Sequence, residues 1–242
     1  MSTTGAANSP AINARVANAD AVWIKGGDQG LFHDLWNGTQ LETSMRAVIA
    51  RGGAMGGTSA GAMSLAEYCL CGGMSLESKH VMQDARTPYL DDDSQPGTSG
   101  IHADFLGVIS GVFIDSHVTE RARLGRMLGV LARAHEDAGL DTLLGVGIES
   151  HSGLVIRNGI GEVRGAGSVN FVQQTPATVR RRVNGHPLVY TQLRVDRLTE
   201  GWRYDLPHRS PVLSALPPGV VPVIYPGPGA SNQGALTIDG AR

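Results

Sequence analysis

Gly53-Ala54-Met55-Gly56 running into Gly57-Thr58-Ser59-Ala60-Gly61 is the stretch of this 242-residue chain that decides its fold. The short apolar run reads as a strand. The five residues after it fit G-x-S-x-G, a sharp turn that passes from a strand into a helix, and a helical stretch is expected from there through Tyr68. Upstream, Ala21-Val22-Trp23-Ile24-Lys25 reads as a buried strand stopped by Gly26-Gly27. Residues 31–37 and 41–51 have helical patterning, the second with Leu41, Met45, Val48 and Ile49 on its apolar positions. Downstream, 88–100 is a turn-rich loop and 108–115 a second strong strand. Residues 119–138 form an amphipathic helix with Leu124, Met127, Leu128, Leu131 and Ala134 on one face. Strands follow at 143–149, 153–157, 163–172 and 188–198. The expectation is one α/β domain over 1–242, a mostly parallel sheet with flanking helices, with 1–10 disordered and 207–242 a Pro/Gly-rich tail. Ligands bind at the carboxyl ends of such strands. Three segments fall there: 26–29, 57–61 and 115–126.

Composition narrows the function classes. With 41% hydrophobic and 17% charged residues the chain can bury a core. A net charge of −2 gives no electrostatic case for nucleic acid or an anionic membrane. No run of about 18 apolar residues marks a membrane span. The first residues lack a basic-then-apolar leader pattern. Cys69 and Cys71, two positions apart, read as reduced thiols rather than a bridge. Together these give a soluble, cytoplasmic protein. Asp91-Asp92-Asp93 has no histidine at ligand spacing, so neither metal nor cofactor is expected.

The G-x-S-x-G turn holds a serine hydroxyl above the sheet, and the Ala60 N–H points where an oxyanion would form. Gly27 offers a second N–H, and Gln29 a substrate contact. The bland alternative for both segments is close packing of small residues in a turn. A serine nucleophile needs a base, and among eight histidines His117 is best placed, just past the strand ending at Asp115. His33, His135, His186 and His208 read as surface residues. Asp115-Ser116-His117 followed by Arg121, Arg123 and Arg126 is the most specific feature. Three arginines at the start of one helix oppose its macrodipole, a local preference broken in the way sites break it, and guanidinium forks bind carboxylates. Arg126, away from the apolar stripe, is the one most readily explained as solvated or salt-bridged.

Taken together, GGDQ (26–29), GGTSAGA (56–62) and the Asp115–His117 segment with its arginines resemble the cyanophycinases, within the S51 serine peptidases. The likeness runs over about 21–172, with a weaker echo at 201–206. It implies a fold like the class I glutamine amidotransferases. It also implies Ser59 as nucleophile, His117 as base and Glu77 as the third triad member. Glu77 comes from the resemblance alone; by itself it reads as an exposed carboxylate paired with Lys79. Gln29, Asp115, Ser116, Arg121, Arg123 and Arg126 match the family's substrate-binding positions. The implied activity is cleavage of the cyanophycin poly-aspartate backbone to β-Asp-Arg dipeptides through an acyl-enzyme, by a homodimer without metal or cofactor. Two departures stand out. Set against the family, part of the N-terminal strand–helix segment is expected to be lacking, which predicts unpaired strand edges and exposed apolar surface unless the sheet is rebuilt, a partner chain covers it or the protein starts earlier. The family's acid pair after the strand at 143–149 is replaced by Glu149-Ser150, with His151 beside it. The competing readings are an aspartyl or isoaspartyl dipeptidase of the same family, a non-catalytic binding descendant, and an α/β-hydrolase esterase. The last gains nothing from the arginine cluster.

Overall fold

The computed structural model describes residues 3–71, 76–92, 100–137, 139–216, 219 and 235–239. In chain order the elements are α1 (Thr4–Ala7), α2 (Pro10–Ala17), β1 (Ala21–Ile24), α3 (Gln29–Trp36), α4 (Gln40–Ala50), β2 (Ala54–Gly57), α5 (Ala60–Met63) and β3 (Ala66–Leu70). Then come α6 (Ser78–Gln83), α7 (Pro88–Asp91), β4 (Ile101–His102), β5 (Ile109–Ser116) and α8 (Leu124–Asp137). The remaining strands are β6 (Leu144–Ile148), β7 (Ser152–Arg157), β8 (Ile160–Gly165), β9 (Val169–Gln173), β10 (Val179–Arg181), β11 (Val189–Leu198), β12 (Arg203–Asp205), β13 (Ser210–Pro211) and β14 (Ala235–Asp239). The chain divides into two compact units, Met1–Leu76 with Pro88–Ile114, and Glu77–Thr87 with Asp115–Arg242. The α/β class is as expected. The parallel pairs recorded lie in the first unit, and the strands of the second pair antiparallel.

In the first unit β1 and β2 run parallel, Ala21 opposite Ala54 and Ile24 opposite Gly57. β3 runs parallel to β5, with Ala66 opposite Ile109 and Tyr68 opposite Phe113, and β4 is antiparallel to β3. Leu41, Met45 and Val48 recur at helical spacing on α4 and are all buried, as their periodicity predicts. They belong with Ile24, Trp36 and Phe105 among the unit's buried apolar side chains, each stabilising the fold by about 1.5–3 kcal/mol.

Four expectations differ here. The helix after Gly57-Thr58-Ser59 lasts one turn, and 66–70 is strand: Tyr68, Cys69 and Leu70 suit a pleated surface better than a helix. β1 is only partly buried, with Trp23 at 67% exposure, because among the described residues its recorded partner is β2 alone. Residues 4–7 are helical, capped by the Thr3 hydroxyl, where composition suggested disorder. Cys69 and Cys71 are joined in a disulfide rather than held as separate thiols. Alternate side chains of a strand share a face, and here the two Cα atoms lie 5.2 Å apart, inside bridging range.

In the second unit β6, β9, β11 and β10 form an antiparallel run, with β14 also on β11. β7, β8, β12 and β13 form a second antiparallel sheet. Phe171 of β9 stacks on Tyr204 of β12 at 3.8 Å between ring centres, joining the two sheets. α8 buries Met127, Leu128, Leu131 and Ala134, the predicted face. It begins at Leu124, five residues later than its pattern suggests, and 119–122 is a turn. Arg121 and Arg123 therefore precede the helix and do not oppose its dipole from within.

His135 corrects the surface reading given to it. It is 2% exposed, its Nε2 lies 3.3 Å from the Leu143 carbonyl oxygen and its Nδ1 faces the Tyr190 hydroxyl. That pairing suits the neutral ring, with Nε2–H donating and Nδ1 accepting. Burial lowers its pKa to about 4, the Leu143 carbonyl opposing and Arg180 adding to the shift. A base with a depressed folded pKa contributes stability above its unfolded value, which is lost as pH falls toward the folded value. The loss is about 1.4 kcal/mol per pH unit between about 6.5 and 4, roughly 3 kcal/mol in all. Unfolding free energy followed against pH in urea should show this slope, and His135→Gln, which keeps a donor and an acceptor, should flatten it. Equal slopes in both proteins would refute the assignment.

Candidate active site

The serine turn is built by backbone proximity. A Cβ on Gly57 would overlap the Gly61 carbonyl, and one on Gly61 would overlap the Ile24 carbonyl oxygen of β1. Only glycine fits either position. Thr58 N–H donates to the Ile24 carbonyl at 3.1 Å, tying the turn to the end of β1. Between the two glycines Ser59 sits at φ 54°, ψ −123°, a conformation non-glycine residues avoid. Ser59 is the N-cap residue of α5 yet its side chain does not make the capping bond. Ala60 is the first residue of α5, so its N–H is one of the donors a helix leaves without an internal partner.

The Gly26-Gly27-Asp28-Gln29 turn lies against this elbow: a Cβ on Gly26 would stand 3.1 Å from the Ser59 Cβ. Asp28 caps α3, its Oδ1 accepting from Gly30 N–H at 2.9 Å and Leu31 N–H at 3.2 Å. Gln29 is buried, and its Nε2 donates to the Leu70 carbonyl at 2.8 Å. The side-chain amide is thus anchored to the end of β3. Gly27 is exposed and has φ +153°.

The second unit holds the other sequence-derived residues. Asp115, at 0% exposure, receives Arg126 Nε at 2.9 Å on Oδ2 and Arg126 Nη2 on Oδ1. Arg126 is 2% exposed, so of its two readings the ion pair is the one seen, and it is buried. Asp115 Oδ1 also accepts from Ser116 N–H at 2.8 Å. Arg123 donates to the Ser116 carbonyl at 3.0 Å and lies 4.0 Å from Asp115, and its pKa falls to about 10 through burial and the neighbouring Arg126. Arg121 is exposed. The Ser116 hydroxyl is buried.

His117 follows β5 directly, at φ 57°. Its pKa is lowered by burial first, then by Arg121 and Arg123, so the ring is neutral at pH 7 and able to take a proton. Glu77 is the N-cap of α6, in a capping box with His80. Its carboxylate lies 2.6 Å from Lys79 Nζ, and that hydrogen bond lowers its pKa. The neighbouring Ser78 donates to the Ala122 carbonyl and accepts from Arg126 N–H at 3.0 Å, so the start of α6 is fastened beside the turn that leads from His117 into α8. Gly125 has no room for a side chain there, because a Cβ would come 2.8 Å from that of Ser78.

Four supports escaped sequence reading. Thr119 Oγ donates to Glu149 at 2.7 Å, and Glu120 accepts from Ser150 N–H at 2.6 Å, fixing the turn after His117 to the end of β6. Asn170 and Arg197 hold Glu149 at 3.2 and 3.1 Å. The only signal for these was the departure at Glu149-Ser150-His151 itself. His151 is exposed, at φ 57°.

Comparison with known proteins follows these residues. The family model for peptidase family S51 matches residues 3–80, which include Gln29, Ser59 and Glu77. Cyanophycinases from Trichormus variabilis and Nostoc are each 30% identical over 206 residues, 82% of this chain and 61% of theirs. One from Geminocystis herdmanii is 30% identical over 202 residues, covering 81% of this chain and 66% of its own. The chain thus spans about three-fifths of the length of the first of these relatives. A crystal structure of a peptidase from an acI-B1 Actinobacterium superposes with a TM-score of 0.52 at 20% identity, over 84% of this chain and 66% of that one. The α/β fold is shared with it.

Proposed function

We propose that the chain is a member of peptidase family S51, a serine peptidase of cyanophycinase type that releases β-Asp-Arg dipeptides from a poly-aspartate backbone; the family match over residues 3–80 and the likeness to cyanophycinases over about four-fifths of the chain support this. The observation that supports this most is Ser59 at φ 54° between two glycines that admit no side chain, with the Gly26-Gly27 turn packed against it. In this reading Ser59 Oγ attacks the scissile carbonyl and His117 accepts its proton. Ala60 and Gly27 N–H groups stabilise the oxyanion. The tetrahedral intermediate collapses to an acyl-serine as His117 protonates the departing amine, and water then reverses the sequence. Glu77 is the proposed orienting acid.

Among the binding residues the roles divide by exposure. Asp115 and Arg126 are committed to one another, so they shape the segment that carries His117. Arg123 braces Ser116. Arg121, exposed, is the one proposed to grip a substrate carboxylate directly, with anchored Gln29 beside the nucleophile turn. Arg121→Ala should raise KM for cyanophycin by about tenfold or more, with a smaller change in kcat. Initial rates across polymer concentration test this, and an unchanged KM removes Arg121 from the binding set. The lowered pKa of His117 further predicts that kcat/KM persists below the usual imidazole range before it falls.

The alternative is a dipeptidase acting on short β-aspartyl peptides. Purified chain supplied separately with cyanophycin and with a β-aspartyl dipeptide decides between them: polymer cleavage supports the first, dipeptide cleavage alone the second. A homodimer and a cytoplasmic location are proposed with the first reading, on the family likeness alone.

A further inference from the structure

His33, read from sequence as a surface residue, and His102 lie 69 residues apart in the chain, yet they meet. Among the described residues, His33, His102 and Asp104 are the single group of three such side chains whose ligand atoms all lie within 4.8 Å of one another. His33 Nε2 is 3.2 Å and His102 Nδ1 is 3.6 Å from the same oxygen, Asp104 Oδ1. Donors bound tetrahedrally at about 2.0–2.1 Å are themselves about 3.3 Å apart, so these separations suit three ligands of one small cation. The rings lie 4.0 Å apart, centre to centre.

The surroundings supply a second layer of support. Asn37 Nδ2 donates to Asp104 Oδ2 at 2.8 Å, which turns the other carboxylate oxygen toward the histidines. His33 Nε2 lies 3.0 Å from Asn37 Nδ2 and 3.2 Å from Asp104 Oδ1, and its part in each contact depends on the ring tautomer. A bound cation would take the Nε2 lone pair, with Nδ1 carrying the proton on the side of Asp34 Oδ1, 3.6 Å away.

We propose that His33, His102 and Asp104 form a binding site for one divalent cation of the zinc class. Two imidazole nitrogens and a carboxylate oxygen suit Zn2+ and its neighbours rather than Ca2+ or Mg2+. The His33, His102 and Asp104 side chains are 13%, 37% and 65% exposed, so the fourth position faces solvent and water fills it. The bound cation would clip α3 to the segment following β4. α3 is the helix that begins at Gln29, so the clip would steady a residue proposed to bind substrate.

The test uses the untagged full chain, stripped with chelator and titrated with Zn2+ against a chromophoric competitor. His102→Gln and Asp104→Asn are made at the more exposed ligands, where folding is least at risk. The expected result is one tight equivalent in the wild type, weakened by about tenfold or more in each variant. Weakening smaller than that in either variant, or no competition by the wild type, overturns the site. The readout is metal affinity, so it stands or falls separately from the hydrolytic reading.

Discussion

Ser59→Ala is expected to abolish β-Asp-Arg release, lowering kcat by about 10⁴-fold or more, while the protein unfolds at a nearly unchanged urea concentration. The size follows from the proposed role: nucleophile and base act as a unit, and removing the attacking oxygen leaves only binding and oxyanion contacts. Stability should change little, because the Ser59 side chain does not cap α5 and loss of a single neutral hydroxyl hydrogen bond costs about 0.5–1.5 kcal/mol. A β-branched replacement is a different case. Ser59→Val should lose activity and also stability, since branching at Cβ adds to the strain of φ 54°. Retention of more than about a hundredth of wild-type activity in Ser59→Ala would show that another group performs the attack.

The largest stability effect is expected at Asp115. With its partner Arg126 at 2% exposure, Asp115→Ala strands a buried guanidinium. Such a broken pair costs about 3–5 kcal/mol, which for a chain of this size lowers Tm by about 10 °C. Asp115→Asn should cost less, because the amide oxygen still accepts from Arg126. The double variant Asp115→Leu/Arg126→Met should regain most of the loss, since it removes both charges together. Urea unfolding of wild type, Asp115→Leu, Arg126→Met and the double variant gives the coupling directly. A loss below about 1 kcal/mol in Asp115→Ala would mean that the pair is not holding the second unit together.

What could be read from sequence was what is decided locally. Gly57 and Gly61 announce the turn around Ser59 because the backbone at each glycine excludes every side chain but hydrogen, and the structure finds the overlaps that enforce it. The apolar stripe of α8 was legible for the same reason, being a repeat within one element. What needed partners from afar was not. Arg126 read as solvated or salt-bridged because its helical angle points away from the stripe; that the salt bridge is buried depends on Asp115, a partner outside its own helix. His135 looked exposed until Tyr190 and the Leu143 carbonyl met its ring. The start of α8 was placed too early because residues 119–122, tied by Thr119 and Glu120 to the end of β6, have helix-compatible composition but turn geometry. The 66–70 segment was misread because Leu65, Ala66 and Glu67 favour a helix and pairing with β5 overrides them. Glu77 carries no physical signal of its own: its carboxylate pairs with Lys79, as an ordinary surface acid would. Its proposed role rests on family likeness.

The family likeness also sets what most needs measuring. The decisive experiment is quantitation of β-Asp-Arg released from purified cyanophycin by the wild-type chain and by Ser59→Ala under identical conditions. Steady dipeptide release by the wild type, with none from the variant, is the result this account predicts. No release from a wild-type sample that is folded and unfolds cooperatively, or equal release from both proteins, would contradict it.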